Sequence, residues 1–288
     1  MRLVSFIGPD GRPGYGALRG ADQVVDLTAL PGAGSLRAML AAGKLAEAVS
    51  VAAVAAATIP LSALTLAPVI PDPDKIICVG LNYHDHVMET GRTVTEKPAL
   101  FARFAGSQVG HLQPMVRPAV SEQFDYEGEL AVVIGRGGRH IAAADALAHV
   151  AGYACYNEGS VRDWQRHTSQ FLAGKTFEGT GAFGPWLVTA DEIPDPSVLT
   201  LETRLNGKVV QHTSTNLMIT SVPDLIAYIS TVLPLLPGDV IVSGTPGGVG
   251  SRRVPPLWLE PGDTVEVEIS GIGTLSNNVV AESARAAA

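Results

Sequence analysis

The chain predicts a strand-rich α+β fold with a small α/β unit at its N-terminus. Three observations carry that expectation. Short apolar runs, rich in β-branched residues and bounded by glycine or Pro-Gly-Asp turns, recur at 75–80, 130–134, 150–156, Val240–Val242 and 265–269. The helical stretches between them are short and few. Pro68, Pro71 and Pro73 separate an alanine-rich beginning from the remainder. A boundary there divides the chain into a small domain, 1–70, and a larger one, 71–288, that carries the chemistry.

Composition narrows the function classes. With 288 residues and 46% apolar content, the chain can bury a large core. Its formal charge is −8 and its pI about 5.3, with no long Lys/Arg run, so nucleic acid is not an expected partner. The first residues lack the apolar run of a secretory signal, and 45–66 is too interrupted by polar residues to span a membrane. Cys78 and Cys155 read as free thiols of a reducing compartment, and the expected location is the cytoplasm.

Taken in order, residues 1–28 alternate and turn as a small hairpin unit. Residues 36–57 read as two short helices broken near Ala42-Gly43. The 75–80 strand ends in glycine and leads to Tyr83-His84-Asp85-His86-Val87-Met88-Glu89-Thr90. If this stretch is helical, His86 and Glu89 share a face at i, i+3. A carboxylate beside an imidazole orients it and raises its basicity, which suits a general base; an ordinary surface ion pair is the other reading. Polar residues 91–97 follow, as a lid would.

Next comes Phe124-Asp125-Tyr126-Glu127-Gly128-Glu129-Leu130. In extended backbone, residues i and i+2 point the same way, so Glu127 and Glu129 converge. Spacing alone leaves two readings open: a solvated strand end, or a pair that holds a hard cation between its carboxylates. The 150–156 strand ends in Asn157-Glu158, with Arg162 and Gln165 at i, i+3 on a following helix. Glu158 offers a third carboxylate, or a local partner for Arg162. Gly174-Lys175-Thr176 is not a phosphate loop, because Ser169 stands where that motif needs glycine. Asn206-Gly207 marks a hairpin turn. Ser221 to Leu233 reads as a helix with Pro223 in its first turn. Residues 243–250 form a glycine-rich loop whose amides can bind a carboxylate.

In this order the pieces resemble the fumarylacetoacetate hydrolase superfamily. The matching stretches are Gly80-Leu81-Asn82-Tyr83 with His86 and Glu89, Asp125 to Leu130, Gly152-Tyr153 with 157–165, Lys175, Asn206-Gly207, and Gly244-Thr245-Pro246 with Gly248-Val249-Gly250. Each is weak alone; six in register are specific, and they cover about 70–280. The resemblance implies a rolled mixed β-sheet, a homodimer, and Mg²⁺ or Mn²⁺, with Ca²⁺ as an option, held by Glu127, Glu129 and Glu158. The family's third ligand is normally Asp, so Glu158 is a departure. His86 and Glu89 correspond to the lid dyad. Lys175 corresponds to a catalytic lysine, and Arg103, Arg162, Gln165 and Thr245 to substrate-binding positions.

The implied substrates are small 2-oxo or β-dicarbonyl acids. A divalent ion chelated by such an acid stabilises the enolate released when a C–C bond breaks. The first expectation is hydrolysis of a 2,4-dioxo acid, acylpyruvate-like or fumarylacetoacetate-like, as in aromatic catabolism. Oxaloacetate-type decarboxylation, tautomerisation, and isomerisation or hydration of a 2-hydroxydienoate are the alternatives.

Overall fold

The computed structural model describes residues 1–283 of the chain. Its centre is the strand Gly128–Ile134, in which every residue is buried. A strand covered on both faces needs a continuous apolar run rather than alternation, which is why Leu130 to Ile134 carries no polar residue. Alternation still sorts the side chains. Leu130, Val132 and Ile134 pack into one core; Ala131 and Val133 pack into another on the opposite face.

That strand lies inside a twelve-stranded mixed sheet. Val150–Asn157 pairs with it antiparallel on one side, from Gly128 opposite Asn157 to Ile134 opposite Val150. Val240–Val242 pairs antiparallel on the other side and runs parallel to Ile76–Gly80. Ala99–Arg103 closes that edge. A five-stranded sheet, built on the Thr200–Leu205, Lys208–Ser214, Thr264–Ile269 and Gly273–Ala281 strands, covers one face. Its Leu201, Val265, Val267 and Leu275 share a core with Leu130 and Val132. The hairpin at Asn206-Gly207 forms as expected, with both residues at positive φ (51° and 76°), the geometry that makes Asn-Gly the favoured pair.

The first portion of the chain continues the large sheet. Arg2–Ile7 pairs with Gly181–Thr189 through Arg2 opposite Val188 and Leu3 opposite Leu187. Pro13–Arg19 and Gln23–Asp26 extend it outward. Helices Leu36–Ala41 and Leu45–Val54 pack Leu36, Met39, Leu40 and Ala48 against the sheet. The Ser35 hydroxyl caps the first by accepting from Ala38 N at 3.1 Å. Residues before and after position 70 thus share one sheet and one core: Leu3 and Met39 belong to the same cluster as Val133 and Val240. Both cysteines are buried and free. Among the described residues, no helix is long and apolar enough to cross a membrane.

Candidate active site

Antiparallel pairing assembles the site. Because Gly128 faces Asn157 across two strands, Glu127 and Glu158 meet just beyond the strand ends. Glu158 N donates to Glu127 O at 2.8 Å, and the Asn157 side chain accepts from Glu127 N at 3.1 Å. Glu129, two residues along, turns to the same side. One ligand oxygen from each of Glu127, Glu129 and Glu158 lies within 4.8 Å of the others, and all three residues are buried. The sequence expectation of three convergent carboxylates therefore matches the geometry, and the alternative of a solvated strand end does not. Glu158 does not pair with Arg162. Its Oε2 accepts from Lys175 Nζ at 2.8 Å, and its buried Oε1 has no protein partner.

Charge explains the cluster's behaviour. Asp125, Glu127, Glu129 and Glu158 are four buried carboxylates facing two buried cations, Arg162 and Lys175. Arg162 pairs with Asp125 at 2.8 Å and with Glu127 at 2.7 Å; Lys175 bridges Glu127 and Glu158. Burial alone would raise the Glu127 carboxyl, but the Arg162 guanidinium and the Lys175 ammonium outweigh it and hold Glu127 below the usual range. Glu129 makes no ion pair among the described residues. Burial pushes its carboxyl well up, and the Glu158 and Glu127 charges push the same way; the Lys175 charge lowers it without outweighing them. Gly244 N, at 2.5 Å, is its compensating donor. An excess of two carboxylates over cations, three oxygens in reach of one point and an orphaned buried carboxylate oxygen fit one hard divalent cation.

Lys175 is delivered by close packing. Helices Arg162–Gln165 and Leu172–Lys175 touch at Gly174. A Cβ there would sit 2.4 Å from Gln165 N and 2.5 Å from Val161 O, both backbone atoms. The Lys175 ammonium also lies 5.2 Å from the Phe101 ring centroid. Burial works against its charge, yet Glu127 and Glu158 raise its pKa above the ordinary value, so it is an ammonium.

Opposite this floor stands helix His84–Thr90. His86 Nδ1 and Glu89 Oε1 are 2.7 Å apart, and Glu89 Oε2 accepts from Gly248 N at 2.8 Å. The dyad expected from the i, i+3 spacing is thus present and tied to the glycine-rich loop. Leu81, at φ 60°, turns the chain into this helix. The Asn82 side chain holds that turn by donating to Thr220 O and Ser243 O and accepting from Thr220 N. A leucine in the left-handed region costs on the order of 1 kcal/mol, which these bonds offset. Residues 91–97 are exposed.

Floor and roof enclose a cavity of about 390 Å³. His86, Glu127, Glu129, Glu158, Arg162, Gln165, Lys175 and Thr245 all line it, as does Phe171. Gln165 accepts from Arg162 Nη1 at 2.9 Å. Thr245 donates to Gly128 O at 3.0 Å and accepts from Gln211 Nε2 at 2.9 Å. Arg103 is the exception among the expected substrate-binding positions. It is 2% exposed and does not reach the cavity. Its guanidinium donates to Gly159 O at 2.9 Å and Thr180 Oγ1 at 3.0 Å, so it braces the loop after Glu158 from behind.

Two functional positions escaped sequence reasoning. Asp125 accepts from Arg162 Nε and from Gly250 N and Ser251 N, joining the floor to the glycine-rich loop. Gln211 accepts from Gly128 N and donates to Thr245 and Pro246 O. Asp125 stood inside a recognised motif, but Gln211 lies in an ordinary hairpin and carried no signal.

The family described as fumarylacetoacetate (FAA) hydrolase C-terminal matches residues 75–280. A Rattus norvegicus protein named oxaloacetate tautomerase Fahd2a, mitochondrial, is 43% identical over 97% of this chain and 92% of its own length. The fumarylacetoacetate hydrolase of psychrophilic Exiguobacterium antarcticum superposes with a TM-score of 0.86 at 37% identity, over 98% of this chain and 100% of that one. A maleylpyruvate hydrolase from Sphingobium sp. SYK-6, solved in complex with manganese(II) ion and pyruvate, has a TM-score of 0.82 at 30% identity over the same shares.

Proposed function

The chain belongs to the fumarylacetoacetate hydrolase family, and from that premise we propose that it catalyses keto–enol tautomerisation of an oxaloacetate-like 2-oxo acid at a divalent metal centre. The observation that carries this reading is the His86–Glu89 dyad set above the three-carboxylate floor, on a chain 43% identical over nearly its whole length to an oxaloacetate tautomerase.

Glu127, Glu129 and Glu158 would hold the cation, Mg²⁺ or Mn²⁺, which supplies Lewis-acid polarisation of the 2-oxo group when bound. The protein's own groups do the rest. Glu89 accepts from His86 Nδ1, which leaves Nε2 with a free lone pair for proton exchange. In the ketonising direction, Nε2 takes the proton of the C2 hydroxyl and delivers it to C3, so the imidazole ends as it began; C2=C3 becomes single and C2–O becomes a carbonyl. The enolising direction reverses each change. The Lys175 ammonium stabilises negative charge developing on the C2 oxygen, and Thr245 with Gln211 fixes the wall of the site. Closure of the roof excludes bulk water and keeps the exchanged proton within the dyad.

C–C bond hydrolysis of a 2,4-dioxo acid is the second reading, supported by the likeness to a maleylpyruvate hydrolase with pyruvate bound. It uses the same floor, with His86 activating water rather than exchanging a C3 proton. One experiment separates the two. Metal-loaded protein is given enol oxaloacetate, keto oxaloacetate and acylpyruvates, with enol absorbance and pyruvate formation followed in parallel. Tautomerisation predicts loss of enol absorbance far above the buffer rate without pyruvate. Pyruvate from oxaloacetate would instead identify a decarboxylase, and pyruvate from acylpyruvates alone the hydrolase.

A further inference from the structure

The mouth of the cavity carries positive charge that the chemistry at the floor does not use. Arg166 and Arg252 both line the cavity and both are exposed. Neither has a carboxylate within ion-pair distance among the described residues. Arg162 is already engaged at the floor: it is buried, with Nε donating to Asp125, Nη2 paired with Glu127 and Nη1 donating to Gln165.

The position of the two exposed arginines is built into the fold. Asp125, fully buried, accepts from Gly250 N at 2.8 Å and Ser251 N at 2.9 Å, and from Arg162 Nε at 2.8 Å. One carboxylate therefore pins the turn that carries Arg252 to the short helix whose end carries Arg166. The turn itself is tight: a Cβ on Gly250 would meet Leu257 O at 1.8 Å. The result is like charge held together. Partial burial lowers the Arg166 pKa, and the Arg252 and Arg162 charges lower it further, outweighing the opposite pull of Asp125 and Asp163. An anion between these guanidiniums would relieve that crowding.

We propose that Arg166 and Arg252 form a clamp for a second carboxylate, so that the site selects 2-oxo diacids over 2-oxo monoacids. The inference rests on the 2-oxo acid reading above and deepens it. The α-carboxylate and 2-oxo oxygen occupy the carboxylate floor, and the distal carboxylate faces the mouth, with His86 beside the carbons between. A planar guanidinium is suited to this because it grips a carboxylate with two parallel N–H donors.

The test is binding, read by calorimetry on Mn²⁺-loaded protein with three probes. Pyruvate reports the floor alone. Difluorooxaloacetate, which cannot enolise, adds the distal carboxylate, and its C4 methyl ester removes that charge. Wild type should prefer the diacid to the ester, and Arg166→Gln and Arg252→Gln should each weaken diacid binding by about 10-fold or more. Pyruvate and ester affinities should stay within about 2-fold, a change too small to reflect a lost charge-assisted bond. Arg252→Lys should recover part of the preference. Unchanged diacid preference in the double variant would overturn the clamp. Pyruvate binding without any diacid preference in wild type would overturn it too, leaving the 2-oxo acid reading intact. Failure of wild type to bind pyruvate or either four-carbon probe would bring down that reading and the clamp with it.

Discussion

The floor and the roof of this site are built on opposite principles. At the floor, Glu127, Glu129, Glu158, Lys175 and Arg162 are all buried, and each is held by strand pairing or by a partner charge. At the roof, one short helix carries His86 and Glu89, fastened by Asn82, one bond from Gly248 and one bridge between Tyr83 and Met218. An exposed segment follows directly. The floor must hold its geometry against strong repulsion whether or not substrate is present. The roof is held by fewer attachments, which suits the proposed reaction, in which it would admit substrate and then cover it. Substitutions at the floor should therefore disturb metal binding and folding together. Those at the roof should change rate alone.

The largest expected effect lies at the floor. Glu158→Gln should weaken Mn²⁺ affinity by about 100-fold or more, since an anionic ligand becomes a neutral one. Glu158→Asp should keep part of the affinity at raised metal concentration. Calorimetric titration giving wild-type affinity for Glu158→Gln would remove the three-carboxylate centre. Stripping the metal with a chelator should likewise abolish turnover, and Mg²⁺ or Mn²⁺ should restore it.

At the roof, His86→Ala should lower kcat by about 100-fold or more, the usual scale of general acid–base catalysis. Metal affinity and Tm should stay near wild type, because the helix buries little else that depends on the imidazole. A matching loss of metal affinity would erase the distinction between floor and roof. Arg103 sharpens the comparison from behind the floor. Arg103→Leu strands Gly159 O in a buried setting, removes one of the two bonds of Thr180 Oγ1 and should cost about 2–4 kcal/mol in urea unfolding. KM of the folded fraction should be little changed, whereas a substrate-binding role would raise it.

The smallest effect concerns the thiols under the floor. Burial raises Cys78 well above the usual thiol value, with nearby Glu158 adding to it, and pushes Cys155 up to about 12. Native protein at mildly alkaline pH should therefore resist iodoacetamide, and mass spectrometry should find both thiols labelled only after unfolding.

Part of the floor and the roof dyad were legible because their signals are local. Glu127 and Glu129 sit two apart at a strand end, and His86 and Glu89 sit three apart on a helix, so backbone periodicity alone brings each pair together. Glu158 needed more. Its approach to Glu127 depends on the register that sets Gly128 against Asn157, and no residue near either strand announces that register. Resemblance to a family supplied it. Arg103 shows the limit of that route: a basic residue at a matching position does not line the cavity and donates to Gly159 O, Thr180 Oγ1 and Ser107 Oγ instead. The N-terminal unit shows a similar limit. Its prolines and composition mark a boundary in sequence, while Leu3 and Met39 enter a core shared with the central strand. Arg166 and Arg252 were invisible because neither belongs to a pattern; only the folded turn pinned by Asp125 brings them to one mouth.

Gly174 has a consequence for how mutational maps of this protein should look. It contributes no acid, base or ligand. Yet two backbone segments meet where its side chain would be, with Gln165 N at 2.4 Å and Val161 O at 2.5 Å from the place a methyl carbon would take. Even alanine must push the two short helices apart, and Lys175 rides on the one that moves. In a saturation scan, position 174 should be as intolerant as position 175, and a reader of that scan alone would assign chemistry to a residue whose whole contribution is the space it leaves empty.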